Sequence, residues 1–214
     1  MKANLKALAL ICFILPILTV LISYIFSIKL DLVAACIPNF EGCTSISRVG
    51  RYPPIKYFFK PAMYIYAAIL FFYWFHLLKC LENFKINKKY ISWIALLSIL
   101  FLILYLIFLG ESKIYSFFRR IGIYVYILLM VLTQYLVSKE LYIHYNKLKS
   151  IFTYNYVRII YLLSNFLIIL GILLLPMLII KINSFPQIKN IISWNYFFLI
   201  QLYFLLSYLS FKKN

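Results

Sequence analysis

The stretch from Cys36 to Met63, CIPNFEGCTSISRVGRYPPIKYFFKPAM, is the one long polar segment in a chain that is otherwise close to continuous hydrocarbon. It holds Ser45, Ser47, Arg48 and Arg51, and a second basic pair, Arg119 and Arg120, lies further along. Guanidinium groups present rigid forks of N–H donors that match phosphate or carboxylate oxygens, and hydroxyls and backbone N–H groups can complete the hydrogen bonds of such an anion. That chemistry is a pocket for an anionic lipid headgroup. The same residues are compatible with a stiff connector, in which Pro53 and Pro54 fix φ, Gly50 permits a turn, and Tyr57, Phe58 and Lys60 rest at a membrane interface.

Cys36 and Cys43 share this segment, and an oxidising compartment would allow them to close a small ring, with Pro38 and Gly42 suited to a tight turn. Spacing leaves the pairing open. Cys12 and Cys80 sit in or beside apolar runs and read as small apolar fillers or free thiols. No metal site is expected, because His76 and His144, the only histidines, fall on the side opposite the loop cysteines and no further ligands accompany them. The five carboxylates, Asp31, Glu41, Glu82, Glu111 and Glu140, fall at helix ends or in loops. With no nucleophile and base grouped together, the expectation is a protein that is not an enzyme and carries no cofactor.

Composition defines the elements that must position these groups. Of the 214 residues, 65% are hydrophobic and 13% charged, too little polar surface to cover a soluble globule of this length. Six apolar runs, Ala7 to Ile28, Ala62 to Leu78, Ile91 to Leu109, Ile121 to Val137, Val157 to Ile180 and Ile191 to Leu209, are each long enough to cross about 30 Å of hydrocarbon as a helix. They lack the alternation of a membrane barrel strand. The expected fold is therefore all-α, a single bundle of six transmembrane helices spanning 1–214, with residues 29–61 as a long first external loop.

Basic residues flanking the runs number twelve on the side of the termini and ten on the other, which favours cytoplasmic termini. Asn87-Lys88-Lys89 sits beside a helix end on that side, where anionic headgroups attract basic side chains. The net charge of +17 thus points to membrane lipids as partners rather than nucleic acid, since no separate basic domain exists to hold one. Protein partners are not encoded in any motif. Lys2 and Lys6 before an apolar run imitate a secretory signal, but the run is too long for one, and the first helix is expected to remain as an anchor.

Inside the bilayer the polarity is uncharged: Gln134, Asn165 and Gln201, with Ser164 and Ser207. Such groups commonly bond between helices. A groove joining Gln134, Asn165 and Gln201 would instead mark a transporter or lipid-translocating path. On the loop side, the first loop is expected to fold over the ends of the third and fourth helices, with Glu111 meeting Arg119 or Arg120 and the surplus arginines left for an anion.

The segment CTSISRVGRYPPIKYFFKPAM resembles the first-loop signature of the six-helix family that includes the damage-regulated autophagy modulators (DRAM), a GPI-anchor maturation protein and the N-terminal domain of CWH-type cell-wall proteins. Ser45, Ile46, Ser47, Gly50, Pro53, Pro54 and Phe58 occupy the family's loop positions. Phe118-Arg119-Arg120-Ile121-Gly122-Ile123-Tyr124 and Trp194-Asn195 are similar to bacterial-type members. Phe117-Phe118 stands where many relatives carry a histidine, so any role of that histidine does not transfer. The resemblance implies a six-helix membrane fold linked to lipid handling. The Ile, Lys, Asn, Phe and Tyr bias points to an AT-rich genome and a bacterial inner membrane.

Overall fold

The computed structural model describes residues 2–86, 89–179 and 186–212; Asn87, Lys88 and Ile180, named above, lie outside the described residues. Among the described residues, six long helices are apolar enough to cross a membrane: α1 (Lys2–Lys29), α2 (Ile55–Glu82), α3 (Lys89–Ile107), α4 (Ser116–Ile143), α5 (Tyr154–Ile179) and α6 (Pro186–Ser210). In lipid every backbone N–H and C=O must find a partner within the protein, and a helix meets that demand inside one segment. The protein is accordingly an all-α integral membrane bundle.

The helices form a closed ring in chain order. Each packs against the next, and α6 returns to pack against α1. The interior is filled by large buried aromatics, Tyr66, Tyr73, Trp74, Tyr203 and Phe204. Tyr73 and Phe204 meet edge-on with centroids 5.3 Å apart, and Trp74 lies 6.0 Å from Phe204, geometries in which the ring quadrupoles attract. Outward-facing Ile25, Phe72, Leu100, Ile172 and Leu173 are exposed, an apolar circumference that only hydrocarbon can cover.

At the end that carries both termini, Thr153 N–H donates to the Ser210 carbonyl at 2.8 Å and Lys212 N–H to the Ile151 carbonyl at 2.9 Å. The Lys6 ammonium lies 4.9 Å from the Tyr208 ring centre. The opposite end carries the long first loop, which contains two short helices, Pro38–Glu41 and Ile46–Val49. One expectation is corrected here. The loop does not extend to residue 61, because α2 begins at Ile55, seven residues before the apolar run at Ala62. Lys56 and Lys60, one helical turn apart, lie on a face that finds partners in the α3–α4 connection, so this polar turn is held as helix.

Candidate functional site: an arginine cluster under the first loop

The first loop is fastened to its neighbours by its backbone. Ser27 on α1 donates to the Val49 carbonyl at 3.0 Å, and Tyr24 donates to the Cys36 carbonyl at 2.6 Å. From α6, Trp194 Nε1 donates to the Thr44 carbonyl at 2.9 Å, Asn190 to the Gly42 carbonyl at 2.8 Å and Asn195 to the Asn39 carbonyl at 2.9 Å. Cys36 and Cys43 are joined as a disulfide with Cα atoms 6.4 Å apart. Between them Gly42 adopts φ +65°, where a Cβ would run into the Gln187 carbonyl, so glycine is required both for the backbone angle and for the close approach.

This fastening sets where the arginines go. Ser45 caps the Ile46–Val49 helix, its Oγ accepting from the Arg48 N–H at 3.3 Å, the ordinary work of serine at a helix start. Ser47, two residues on, faces the buried hydroxyl of Tyr105 near the end of α3. The Arg51 and Arg119 guanidinium groups are near enough to act on that same hydroxyl electrostatically, and Arg119 in turn feels the charges of Arg51 and of its chain neighbour Arg120. Gly122 makes the approach possible. A Cβ there would lie 2.8 Å from the Tyr105 amide nitrogen, so α4 can press against α3 and Arg119, three residues earlier on the same face, arrives beside Tyr105.

Glu111 does not meet Arg119 or Arg120, contrary to expectation. Its Oε1 is 2.9 Å from Lys56 Nζ and 3.8 Å from Lys60 Nζ. Lys56 also donates to the Gly110 carbonyl at 3.3 Å, and Lys60 to the Ile107 carbonyl at 3.1 Å. Two ammonium groups reaching across from α2 satisfy this carboxylate and the unpaired carbonyls at the end of α3 together. Hydrogen bonding from Lys56 and its charge, with Lys60 adding to it, hold the Glu111 carboxyl below the usual glutamate value. Among the described residues, no carboxylate lies within ion-pair distance of Arg48, Arg51, Arg119 or Arg120. The Arg51 Nε is buried and has no hydrogen-bond partner. Like charges thus converge at a half-buried point with one donor unused, an arrangement that an oxyanion would relieve.

Ser47, Arg51 and Arg119 thus share the surroundings of Tyr105, Arg120 adds its charge from an exposed position next to Arg119, Ser45 caps the short helix and Arg48 is exposed. Tyr105 and Tyr52 belong to the cluster and were not singled out from sequence; the position of Tyr105 near the end of an apolar run was the available signal. The intramembrane groups divide differently. Gln134 donates to the Ile200 carbonyl at 3.1 Å, and Gln201 faces Tyr66, whose hydroxyl is 3.5 Å from that of Tyr126. Asn165 instead donates to the Tyr161 carbonyl of its own helix at 2.7 Å. Neither of two cavities, one at the terminal end and one along the α1–α6 seam, is lined by Gln134, Asn165 or Gln201.

His144 Nε2 lies 3.4 Å from the Glu140 carboxylate at the terminal end. Among the described residues no group of three or more His, Cys, Asp or Glu side chains could hold a metal ion. No family model matches the chain, and neither a curated protein nor a solved structure matches it.

Proposed function

We propose that this chain is a non-enzymatic integral membrane protein that binds or organises lipid, holding an anionic headgroup between the first loop and the start of α4. The observation that carries the reading is the convergence of Arg51, Arg119 and Arg120 with no carboxylate among them and with the Arg51 Nε buried and unpaired. Arg51 and Arg119 supply forked donors to phosphate oxygens, Arg120 adds charge at the rim, and Ser47 with Tyr105 supplies hydroxyls below. Exposed Tyr57, Phe58, Phe117 and Phe118 surround this end, the residue types that settle at headgroup depth. We assign the loop to the outer face of a bacterial inner membrane and the termini to the cytoplasm. The Cys36–Cys43 disulfide supports that orientation, since such bonds persist in oxidising compartments, as does the surplus of basic residues beside the termini. Membership of the DRAM-like six-helix family is part of the same proposal and rests on the loop motif.

Native mass spectrometry of protein released from nanodiscs of mixed phosphatidylglycerol and phosphatidylcholine tests this. Wild type retains phosphatidylglycerol in excess of its bath fraction, and Arg51→Gln/Arg119→Gln loses the excess while keeping its melting temperature. Equal retention by both proteins would sink the headgroup site. A second reading, translocation through the bundle, draws on the buried Oε1 atoms of Gln134 and Gln201, which have no hydrogen-bond partner; a transport assay in which Gln134→Leu/Gln201→Leu abolishes flux would favour it.

A further inference from the structure

At the end opposite the arginine cluster a cavity of about 410 Å³ opens between the last turns of α2, the first turn of α3 and Glu140 of α4. Its walls mix both signs of charge. Lys79 and Lys89 are cationic, Glu82 and Glu140 are anionic, and Ser92 and Trp93 complete the polar side. Trp93 is 71% exposed, whereas Trp74 and Trp194 are 2% and 1% exposed. The Lys79 ammonium already lies 5.9 Å from the Phe75 ring centre, and the Glu140 carboxylate is 3.4 Å from His144 Nε2. Beneath these groups the cavity is apolar, lined by Leu78, Leu81 and Ile91.

We propose that this cavity binds a phosphoethanolamine group. A single-sign site would select an anion or a cation. Two ammonium groups and the Glu82 carboxylate around one opening fit a ligand that carries a phosphate and a primary amine within a few ångströms of each other. Lys79 and Lys89 take the phosphate oxygens, Glu82 takes the ammonium, and the Trp93 face attracts the same cation through its ring quadrupole. The volume lies in the range of small-molecule sites with few placed polar groups over an apolar floor. The ligand can be the headgroup of a lipid whose chains lie along the exposed apolar surface, or the soluble phosphoethanolamine.

The test uses the whole chain in nanodiscs containing equal parts of phosphatidylethanolamine, phosphatidylglycerol and phosphatidylcholine. Native mass spectrometry is run on wild type, Glu82→Gln and Trp93→Leu, two substitutions at exposed positions that leave the packed interior untouched. Wild type is expected to retain phosphatidylethanolamine over phosphatidylcholine, with each variant lowering that preference at least fivefold and leaving phosphatidylglycerol retention unchanged. In nanodiscs of phosphatidylcholine alone, a saturable change in tryptophan fluorescence on adding soluble phosphoethanolamine, lost in both Trp93→Leu and Glu82→Gln, would support the site with a soluble source; retention of the lipid without such a change would support it with a lipid source. Absence of both, or an equal fall in phosphatidylglycerol retention in the variants, would overturn the proposal.

Discussion

Gly122 of α4 lies so near α3 that a Cβ added to it would sit 2.8 Å from the backbone nitrogen and 2.9 Å from the Cα of Tyr105. Backbone atoms cannot rotate away as a side chain end can, so any substitution must part the two helices. Gly122→Ala is expected to lower stability by about 1–3 kcal/mol, the usual penalty for overpacking, and to reduce anionic lipid retention because Arg119 rides on the displaced turn. Thermal unfolding in detergent together with lipid retention checks both effects; an unchanged melting temperature would contradict the close packing.

The clamp of Lys56 and Lys60 on Glu111 gives a pH dependence with a definite sign. The carboxyl is held below its ordinary value of 4.5, so its contribution is complete above that value in the unfolded chain and is lost as pH falls through the lower value of the folded chain. Wild type should therefore lose its advantage over Glu111→Gln as the solution is acidified below the ordinary glutamate range, and the two melting curves should converge. Lys56→Glu/Glu111→Lys should recover stability lost in either single reversal, whereas Arg119→Glu/Glu111→Lys should not.

Trp194 Nε1 and the Thr44 carbonyl form a buried bond between the sixth helix and the first loop. Trp194→Phe keeps most of the packing and leaves that carbonyl unsatisfied, a change costing about 1–3 kcal/mol. Limited trypsin digestion reads the local effect: cleavage after Arg48 is expected to be faster in the variant. Unaltered cleavage would mean that the loop is held without this bond.

The Cys36–Cys43 ring closes a sequence separation of 7, for which loop-closure entropy gives about 2–3 kcal/mol. Cys36→Ser/Cys43→Ser should lower the melting temperature accordingly. On intact cells, a membrane-impermeant maleimide should label these two cysteines only after reduction. Labelling before reduction would show free thiols, and none after reduction would place the loop on the inner face.

The six spans were legible because long unbroken apolar stretches have few stable forms in lipid, and in this chain polar links separate most of them. The start of α2 was not, because Lys56 to Lys60 carries the composition of an interfacial connector, and the partners of Lys56, the Gly110 carbonyl and Glu111, lie more than fifty residues further along the chain. The arginines were visible by type, and Ser47 by motif. Which of them meet depends on Gly122 and Tyr105, and beyond its place near the end of an apolar run nothing local distinguishes Tyr105 among twenty tyrosines. Ser45 and Ser47 look alike in sequence, yet one turns inward to cap a helix and the other faces Tyr105.

The closed ring also orders assembly. Five of its six joints connect helices consecutive in the chain, so during synthesis each newly inserted segment can dock on its predecessor with little loop entropy to overcome. The remaining joint, α1 with α6, must wait for the last segment to enter the bilayer. Until then the first helix and its disulfide-bearing loop present open hydrogen-bonding groups at Gly42 and Thr44, and arrival of Asn190 and Trp194 latches them. Quality control on the nascent chain would thus meet one vulnerable seam, and its closure would report that all six helices are in place.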